Sequence, residues 1–382
     1  MMYRCPLCLK NMPGPTCTCG YEYKTIGSIK DFSSQKLYWN QVPQDVMNKA
    51  LESADDTRTI AKKLFGSDSY MYRYIFEENR ACWKKLFDLQ NSTVLDIGCG
   101  WGALPIEFSK SAKKVIACDS TLETLKFVEK RLAENERTNV ELVCINSLSA
   151  LAIPVADNSA DLIILNGVLE WVAKGTNKNP TALQIGVLKE IYRILKPEGI
   201  LVTAIENRIG FVYFCGHPDE HTFTNMTDIR LKYTTVLPRF LSNIIMKKKN
   251  NLPYDTYTYS YKGYKEIFKK AGFGFNHTLT LMPDYRFPAY YFPIEGSFFD
   301  KYKSQIELLL QMYHKKKMED FSKENNSSIV KFIAKTLFSF LTKLHKHRYL
   351  SHYFLFISSK KEIESTLNYE DCYSLFDNLA KE

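Results

Sequence analysis

The sequence predicts an α/β fold built on a doubly wound, mostly parallel sheet. The first observation is the stretch TVLDIGCGWG, residues 93–102, in which a buried-type strand runs directly into three glycines and an amphipathic helix. The second is the alternation of strand-like and helix-like segments from there to residue 206, which is typical of βα units. A strand, a glycine turn and a helix start together indicate a nucleotide-type site, because glycine allows close backbone approach and the helix offers free N–H groups.

The totals describe an ordinary globular chain with an uneven charge. Its 382 residues, 45% hydrophobic and 24% charged, suffice for two domains or for one large domain with insertions. Residues 301–350 hold eleven Lys or Arg and four Asp or Glu, and so supply +7 of the net charge of +9. The start, MMYRCPLC, has no apolar signal core, and no run of ~18 apolar residues follows. We therefore expect a cytoplasmic protein with reduced thiols and no transmembrane segment.

Residues 1–35 are predicted to form a small zinc-ribbon-like segment. Cys5-Pro-Leu-Cys8 and Cys17-Thr-Cys19 are two close cysteine pairs, each near a turn, and four thiolates can converge tetrahedrally on Zn²⁺. The second pair is spaced C-x-C rather than C-x-x-C. The alternative is a ribbon that has lost its metal and keeps four reduced thiols.

Residues 36–90 are predicted to be a helical cap or linker. Asp55-Asp56 can cap a helix that Gly66 ends, and Ser67 or Asp68 can start another that continues to Phe87.

The spacing D-x-G-x-G-x-G in residues 96–102 resembles motif I of the class I S-adenosylmethionine-dependent methyltransferases. The resemblance implies a Rossmann-like core with a seven-stranded sheet, here residues 91–283. It also implies that Asp96 reaches the amino group of the cofactor's methionine moiety and that Gly98, Gly100 and Gly102 lie against its backbone and ribose. Short zinc ribbons like residues 1–35 precede some methyltransferase domains.

Later segments match the family in order. Asp119 ends the second strand, where a carboxylate can accept a hydrogen bond from each of the two ribose hydroxyls. The adenine contact is left open among Asn146, Ser147 and Ser149, and Asn166 ends the fourth strand beside the expected sulfonium. The element YRILKPEG, residues 192–199, precedes the fifth strand. The predicted cofactor-binding residues are Asp96, Gly98, Cys99, Gly100, Gly102, Asp119, Ser120, Asn146, Ser149 and Asn166.

The acceptor is expected on the segment that follows strand five, at the carboxyl edge of the sheet where ligands bind in such folds. The chain there takes about fifty residues, rich in polar and aromatic side chains, before its next regular element. His221, His217 and Glu206 are the predicted catalytic residues, with Asp219 nearby, because histidine titrates near neutral pH and can accept a hydroxyl proton. The alternative is that these groups only brace the loop.

Residues 284–350 are predicted to be a helical insertion that covers the active site, before the last core strand in residues 351–382. Helix 329–346 carries apolar residues on one face and lysines on the other. Such a helix can rest on an anionic membrane or a polyanion, or it can pack on its own domain with its lysines in water. The apolar positions are Val330, Ile333, Leu337, Phe340, Leu341 and Leu344.

The sequence thus predicts a cytoplasmic transferase that uses S-adenosyl-L-methionine and zinc, acting on a small-molecule or glycan-type acceptor, most simply by O-methylation. The alternative is an RNA methyltransferase for a base of rRNA or tRNA, with the ribbon recognising the substrate. Against RNA, the fourth motif reads N-G-V-L rather than the N-P-P-Y used on exocyclic amines. Nucleic acid and peripheral membrane contact stay open as partners.

Overall fold

The computed structural model describes residues 3–224, 227–228, 231–251, 253–324 and 328–379. The strands are β1 (Tyr3–Arg4), β2 (Asn11–Met12), β3 (Lys24–Ile26), β4 (Ile29–Asp31), β5 (Thr93–Ile97), β6 (Lys114–Asp119), β7 (Val140–Cys144), β8 (Ala160–Asn166), β9 (Leu195–Glu206), β10 (Phe223–Thr224), β11 (Thr227–Asp228), β12 (Phe275–Met282), β13 (Tyr290–Pro293) and β14 (Tyr353–Ser359). The helices are α1 (Gln44–Glu52), α2 (Thr57–Phe65), α3 (Tyr70–Phe76), α4 (Ala103–Ser109), α5 (Leu122–Glu134), α6 (Pro180–Ile194), α7 (Phe211–Phe214), α8 (Arg239–Asn250), α9 (Tyr261–Ala271), α10 (Gly296–Glu324), α11 (Ser328–Leu344) and α12 (Glu370–Leu379).

The main sheet has the order β13-β12-β14-β9-β8-β5-β6-β7-β4-β3. Strands β5 to β9 run parallel, and β14 lies antiparallel between β9 and β12. The strand order reverses at β5, which pairs with β6 on one side and β8 on the other. The crevice at this reversal is where doubly wound folds bind ligands. The predicted Rossmann-like architecture is confirmed.

The sheet is covered on both faces, which explains its continuous apolar strands. On one face Trp83 packs at 5.4 Å from the Phe108 ring of α4. On that same face Leu125 and Val128 of α5 join Ile106 of α4 and Leu142 of β7 in a buried cluster. Helix α6 covers the other face, because its crossover from β8 to β9 runs in the opposite direction along the sheet.

Three strands extend the seven predicted ones. Strands β3 and β4 form a hairpin, and β4 continues the sheet by pairing parallel with β7, Lys30 opposite Val143. At the other edge β13 pairs antiparallel with β12, so the insertion 284–350 begins with a strand. Segments of two to four residues are too short for an alternating pattern to reveal them.

The predicted helices of residues 36–90 form with one correction. The Asp56 side chain accepts from the Thr59 N–H to cap α2, and Gly66 ends that helix. The helix expected to run unbroken to Phe87 is instead α3, followed by a 3₁₀ helix, Glu78–Leu86. Glu77 between them is extended, with φ −70° and ψ 113°, and hydrophobic period alone cannot show such a break.

The segment after β9 contains more regular structure than expected. The short helix α7 begins five residues beyond Glu206, and α8 follows within the stretch expected to lack regular elements. The insertion packs on this segment, since Phe211 of α7 shares a buried cluster with Ala334 and Leu341 of α11. None of the described helices combines the length and apolar content that crossing a membrane requires.

Candidate active site

The three motif glycines form a turn that borders open space at its centre. All three have left-handed backbone, with φ of 74°, 50° and 80° at Gly98, Gly100 and Gly102. A Cβ on Gly98 would lie 2.6 Å from a Val168 methyl, and one on Gly102 would lie 2.9 Å from Val128. A Cβ on Gly100 would meet nothing within 4 Å. The outer glycines therefore permit close packing, whereas the backbone at Gly100 offers room for a ligand.

Asp119 is fixed against this turn. Its Oδ2 accepts from the Gly100 N–H at 2.9 Å, and its Oδ1 accepts from the Thr121 N–H at 2.9 Å. Burial raises the pKa of Asp119, and the N–H groups of Thr121, Gly100 and Ser120 oppose that rise. Each carboxylate oxygen can accept more than one hydrogen bond, so the group can still take a pair of hydroxyls.

Asp96 is a buried carboxyl group with an unsatisfied oxygen. Its side chain is 2% exposed, and Oδ2 has no hydrogen-bond partner among the described residues. Burial raises the pKa of Asp96 to about 7, although the nearby Arg80 guanidinium opposes the shift. Because an unpaired buried carboxylate is costly, an ammonium group at Oδ2 would stabilise it.

Asn166 and Cys99 also border the turn. Asn166 ends β8, and neither its amide oxygen nor its amide nitrogen has a partner within the described chain. Burial raises the pKa of the Cys99 thiol well above its usual value. Asn166 can therefore bond a ligand, whereas Cys99 is a neutral packing residue near neutral pH.

The residues expected near the adenine are partly engaged within the protein. Asn146 Oδ1 accepts from both the N–H and the hydroxyl of Ser34, at 2.8 and 2.9 Å. The Ser149 hydroxyl lies 3.0 Å from that of Ser147. Asn146 thus connects Ser34, at the end of the N-terminal segment 1–35, to the carboxyl edge of the sheet.

A second group of buried side chains lies at the ends of β8 and β9. Glu170, Glu206 and His221 are each 2% exposed or less, and each offers one ligating atom within 4.8 Å of the others. His221 Nε2 is 3.4 Å from Glu206 Oε2. Burial, together with the Glu206 carboxylate, raises the pKa of Glu170 to about 8. We call Glu170, Glu206 and His221 the acceptor cluster.

Asp219 orients His221 from behind. Its Oδ1 accepts from the His221 N–H at 3.0 Å and lies 3.2 Å from Nδ1, while Oδ2 accepts from the hydroxyls of Thr234 and Tyr254 at 2.6 and 2.8 Å. Burial alone would lower the pKa of His221, but the carboxylates of Glu206 and Asp219 outweigh it and raise that pKa well above its usual value. His221 is therefore an imidazolium held in one orientation.

His217 lies in a different group from His221. Its Nε2 is 3.5 Å from Glu220 Oε1, and His352 Nε2 is 3.7 Å from the same oxygen. Glu220 also accepts from Arg286 and from the Tyr353 hydroxyl. The structure brings together two of the three predicted catalytic residues, Glu206 and His221.

The sequence did not reveal the roles of Glu220, Arg286 and Tyr353, or that Trp39 approaches Trp171 near the acceptor cluster. The Trp171 ring is 5.4 Å from that of His221 and 5.8 Å from that of Trp39, which lies in the stretch between the ribbon and α1. Tyr353 pairs with Glu206 because β14 lies beside β9. The sequence predicted a last core strand in residues 351–382 but not which residues of β9 it would face.

The four N-terminal cysteines converge as predicted. The Cys5 and Cys19 sulfurs are 3.6 Å apart and those of Cys8 and Cys17 are 3.4 Å apart. Tetrahedral Zn²⁺ with Zn–S bonds of about 2.3 Å would hold its sulfurs about 3.8 Å apart. A hydrogen bond from the Cys19 backbone helps lower the pKa of Cys17 to about 6, whereas burial and the contact with Cys17 raise the pKa of Cys8, so the distances are what support a metal site.

Residues 95–203 match a family described as a methyltransferase domain. Demethylmenaquinone methyltransferase of Lactococcus lactis is 28% identical over 197 residues, which are 50% of this chain and 69% of that protein. An uncharacterized methyltransferase of Schizosaccharomyces pombe is 36% identical over 113 residues, 29% of this chain and 38% of that protein. The structure of Haemonchus contortus phosphoethanolamine N-methyltransferase 2 is similar at 16% identity and a TM-score of 0.39, over 81% of this chain and 61% of that one. The last two matches span less than two thirds of the matched proteins.

Proposed function

We propose that this chain, whose residues 95–203 match a methyltransferase domain, transfers a methyl group from S-adenosylmethionine to a hydroxyl oxygen of a small-molecule or glycan-type acceptor. The observation that carries the proposal is the acceptor cluster. Its three buried acid–base groups meet beyond the carboxyl ends of β8 and β9. A hydroxyl must lose its proton as it is methylated, and such a cluster can receive it.

In this proposal the cofactor lies along the glycine turn. Asp96 binds its ammonium group, Asp119 its ribose hydroxyls, and Asn166 borders the sulfonium, as the unpaired atoms of Asp96 and Asn166 support. The backbone at Gly100, with open space beside it, accommodates the ribose. The bound cofactor supplies an electrophilic methyl group, and the chain's own residues align the acceptor with it.

The proton of the acceptor hydroxyl passes to Glu206 Oε2, which has no hydrogen-bond partner among the described atoms. His221 stays charged, is oriented by Asp219, and compensates the Glu206 carboxylate from 3.4 Å. Glu170 contributes a neutral carboxyl group. His217 is a positioning residue that acts through Glu220.

The N-terminal ribbon holds one zinc ion through Cys5, Cys8, Cys17 and Cys19 in the same proposal. The sulfur–sulfur distances support it.

The proposal is tested by methyl transfer from radiolabelled S-adenosylmethionine into a lysate that is then separated into RNA, protein, lipid, glycan and small-molecule fractions. We expect label in the small-molecule or glycan fraction, as an O-methyl group by NMR. Glu206→Gln should abolish transfer, whereas Glu198→Gln, whose side chain on the same strand is 72% exposed, should not. Label confined to RNA, or an N-methyl product, would overturn the proposal.

A further inference from the structure

Helix α11 exposes apolar side chains on the side away from the core. Phe332, Phe340 and Leu344 are 71%, 58% and 43% exposed. Their positions differ by multiples of four, so they lie along one stripe of the helix. We call these three residues, with the adjacent Ile333 at 47% exposure, the α11 stripe.

The stripe is not accounted for by packing within the chain. The apolar face that the sequence indicated on this helix includes Ile333, Phe340 and Leu344 with Leu337 and Leu341, and the sequence left open whether it packs on the domain or rests on a membrane. Of these, Leu341 is buried against Phe211, and Leu337 packs at the edge of that cluster. The other three turn outward, so only part of the apolar face packs on the domain.

Only basic residues carry charge along this part of the chain. Residues 328–348 contain five Lys or Arg and no Asp or Glu. Lys335, Lys343 and Lys346 are exposed, and Lys335 and Lys343 lie within the same helix as the stripe. Exposed phenylalanine and leucine flanked by lysine is the pattern of helices that lie in the interface of an anionic bilayer.

We propose that the α11 stripe rests on an anionic lipid surface. Its apolar side chains enter the boundary between headgroups and acyl chains, and its lysines face the anionic headgroups. A symmetric contact with a second copy would set these lysines against the same lysines of the partner, which is unfavourable. Protein interfaces in general are depleted in lysine.

The position of the helix links this surface to the catalytic side of the sheet. The opposite face of α11 packs on α7, which follows Glu206 within the same short segment. The side chain of Asn207, next to Glu206, donates to the backbone oxygens of Tyr349 and Ser351, which follow α11. Docking at the stripe therefore holds the acceptor side of the molecule near the bilayer.

The test is co-sedimentation of the full chain with vesicles of phosphatidylcholine containing phosphatidylglycerol, compared with pure phosphatidylcholine. We expect binding to the anionic vesicles that weakens as salt is added. The double variant Phe332→Ser with Phe340→Ser should lower the partition coefficient about tenfold or more. Lys335→Ala with Lys343→Ala should lower it about fivefold for each lysine.

The matched control is Leu7→Ser, because Leu7 is 71% exposed, as Phe332 is, but lies in the ribbon. It should bind vesicles like the wild type. Cofactor affinity and melting temperature should be unchanged in all three variants, since every substituted side chain is on the surface. Absence of vesicle binding would overturn the proposal, as would binding that both α11 variants retain. If the wild type self-associates and Phe332→Ser with Phe340→Ser abolishes that association, the stripe binds a second copy of the chain instead. If the protein is retained on RNA but does not bind vesicles, the stripe binds RNA instead.

Discussion

Asp96 illustrates how folding prepares one side chain for a ligand. Burial raises its pKa to about 7, so the carboxyl group is largely protonated at pH 6 before the cofactor binds. An ammonium group at Oδ2 would favour the carboxylate and expel that proton.

We therefore predict that cofactor binding at pH 6 releases about one proton per chain. Calorimetry in buffers with different ionisation enthalpies measures this release. Asp96→Asn should bind more weakly and lose the buffer dependence, whereas Asp300→Asn, an exposed control, should keep both. A binding enthalpy that does not vary with buffer in the wild type would contradict the assignment.

Glu170 gives a prediction about stability. Its pKa rises from 4.5 in the unfolded chain to about 8 in the folded one, so folding favours the protonated group. That contribution is fully present below pH 4.5 and is lost as the pH rises through 8. Since glutamine stays neutral, Glu170→Gln should gain stability relative to the wild type between pH 5 and pH 8, by about 3 kcal/mol.

Urea unfolding at several pH values measures this difference. Glu266→Gln should follow the wild type at every pH because its side chain on α9 is exposed and makes no ion pair with the residues described. A free-energy difference between Glu170→Gln and the wild type that is constant with pH would rule out burial of an unpaired carboxyl group.

The placement of Asp96, the three glycines and Asp119 at one edge of the sheet was predictable because they lie on consecutive βα units. The acceptor side was only partly predictable. His217 and His221 look equivalent in the sequence, yet neighbouring residues Asp219 and Glu220 bind different groups. Arg286 comes from a distant segment, and no local pattern indicates its position.

Among the elements, the ribbon gives the clearest prediction. Purified protein should contain about one zinc per chain, and Cys5→Ser should lower this below about 0.2. Cys82→Ser, a half-buried cysteine far from the cluster, is the control and should keep its zinc. Metal analysis of untagged protein decides the matter, and equal zinc in both variants would contradict a site at the ribbon.

Elements with clear end signals were well predicted. Helix α2 begins after the Asp56 cap and ends at Gly66, as predicted. The sequence could not show that β4 joins the sheet or which apolar residues of α11 are exposed. Both depend on which surfaces meet, and hydrophobic period does not contain that information.

At the scale of the molecule, cofactor and acceptor binding occupy different elements and should be separable. His221→Ala should lower turnover by about 10–10², because Glu206 loses the charged partner beside it, while cofactor affinity stays near that of the wild type. His345→Ala, at an exposed histidine, is the control. A His221→Ala protein that loses cofactor affinity and melting temperature together would show that His221 only braces the fold.

The place of β14 has a consequence for the order in which the molecule forms. It lies between β9 and β12, although both are synthesised before it. Once the ribosome has synthesised residue 206, strands β5 to β9 can pair with one another. The outer edge of β9 stays unpaired until residues 353–359 have been synthesised. An open edge can pair with other chains, so we expect nascent chains of intermediate length to be the most prone to aggregate. The cofactor half is thus built early, and the acceptor half is completed only when the last strand arrives.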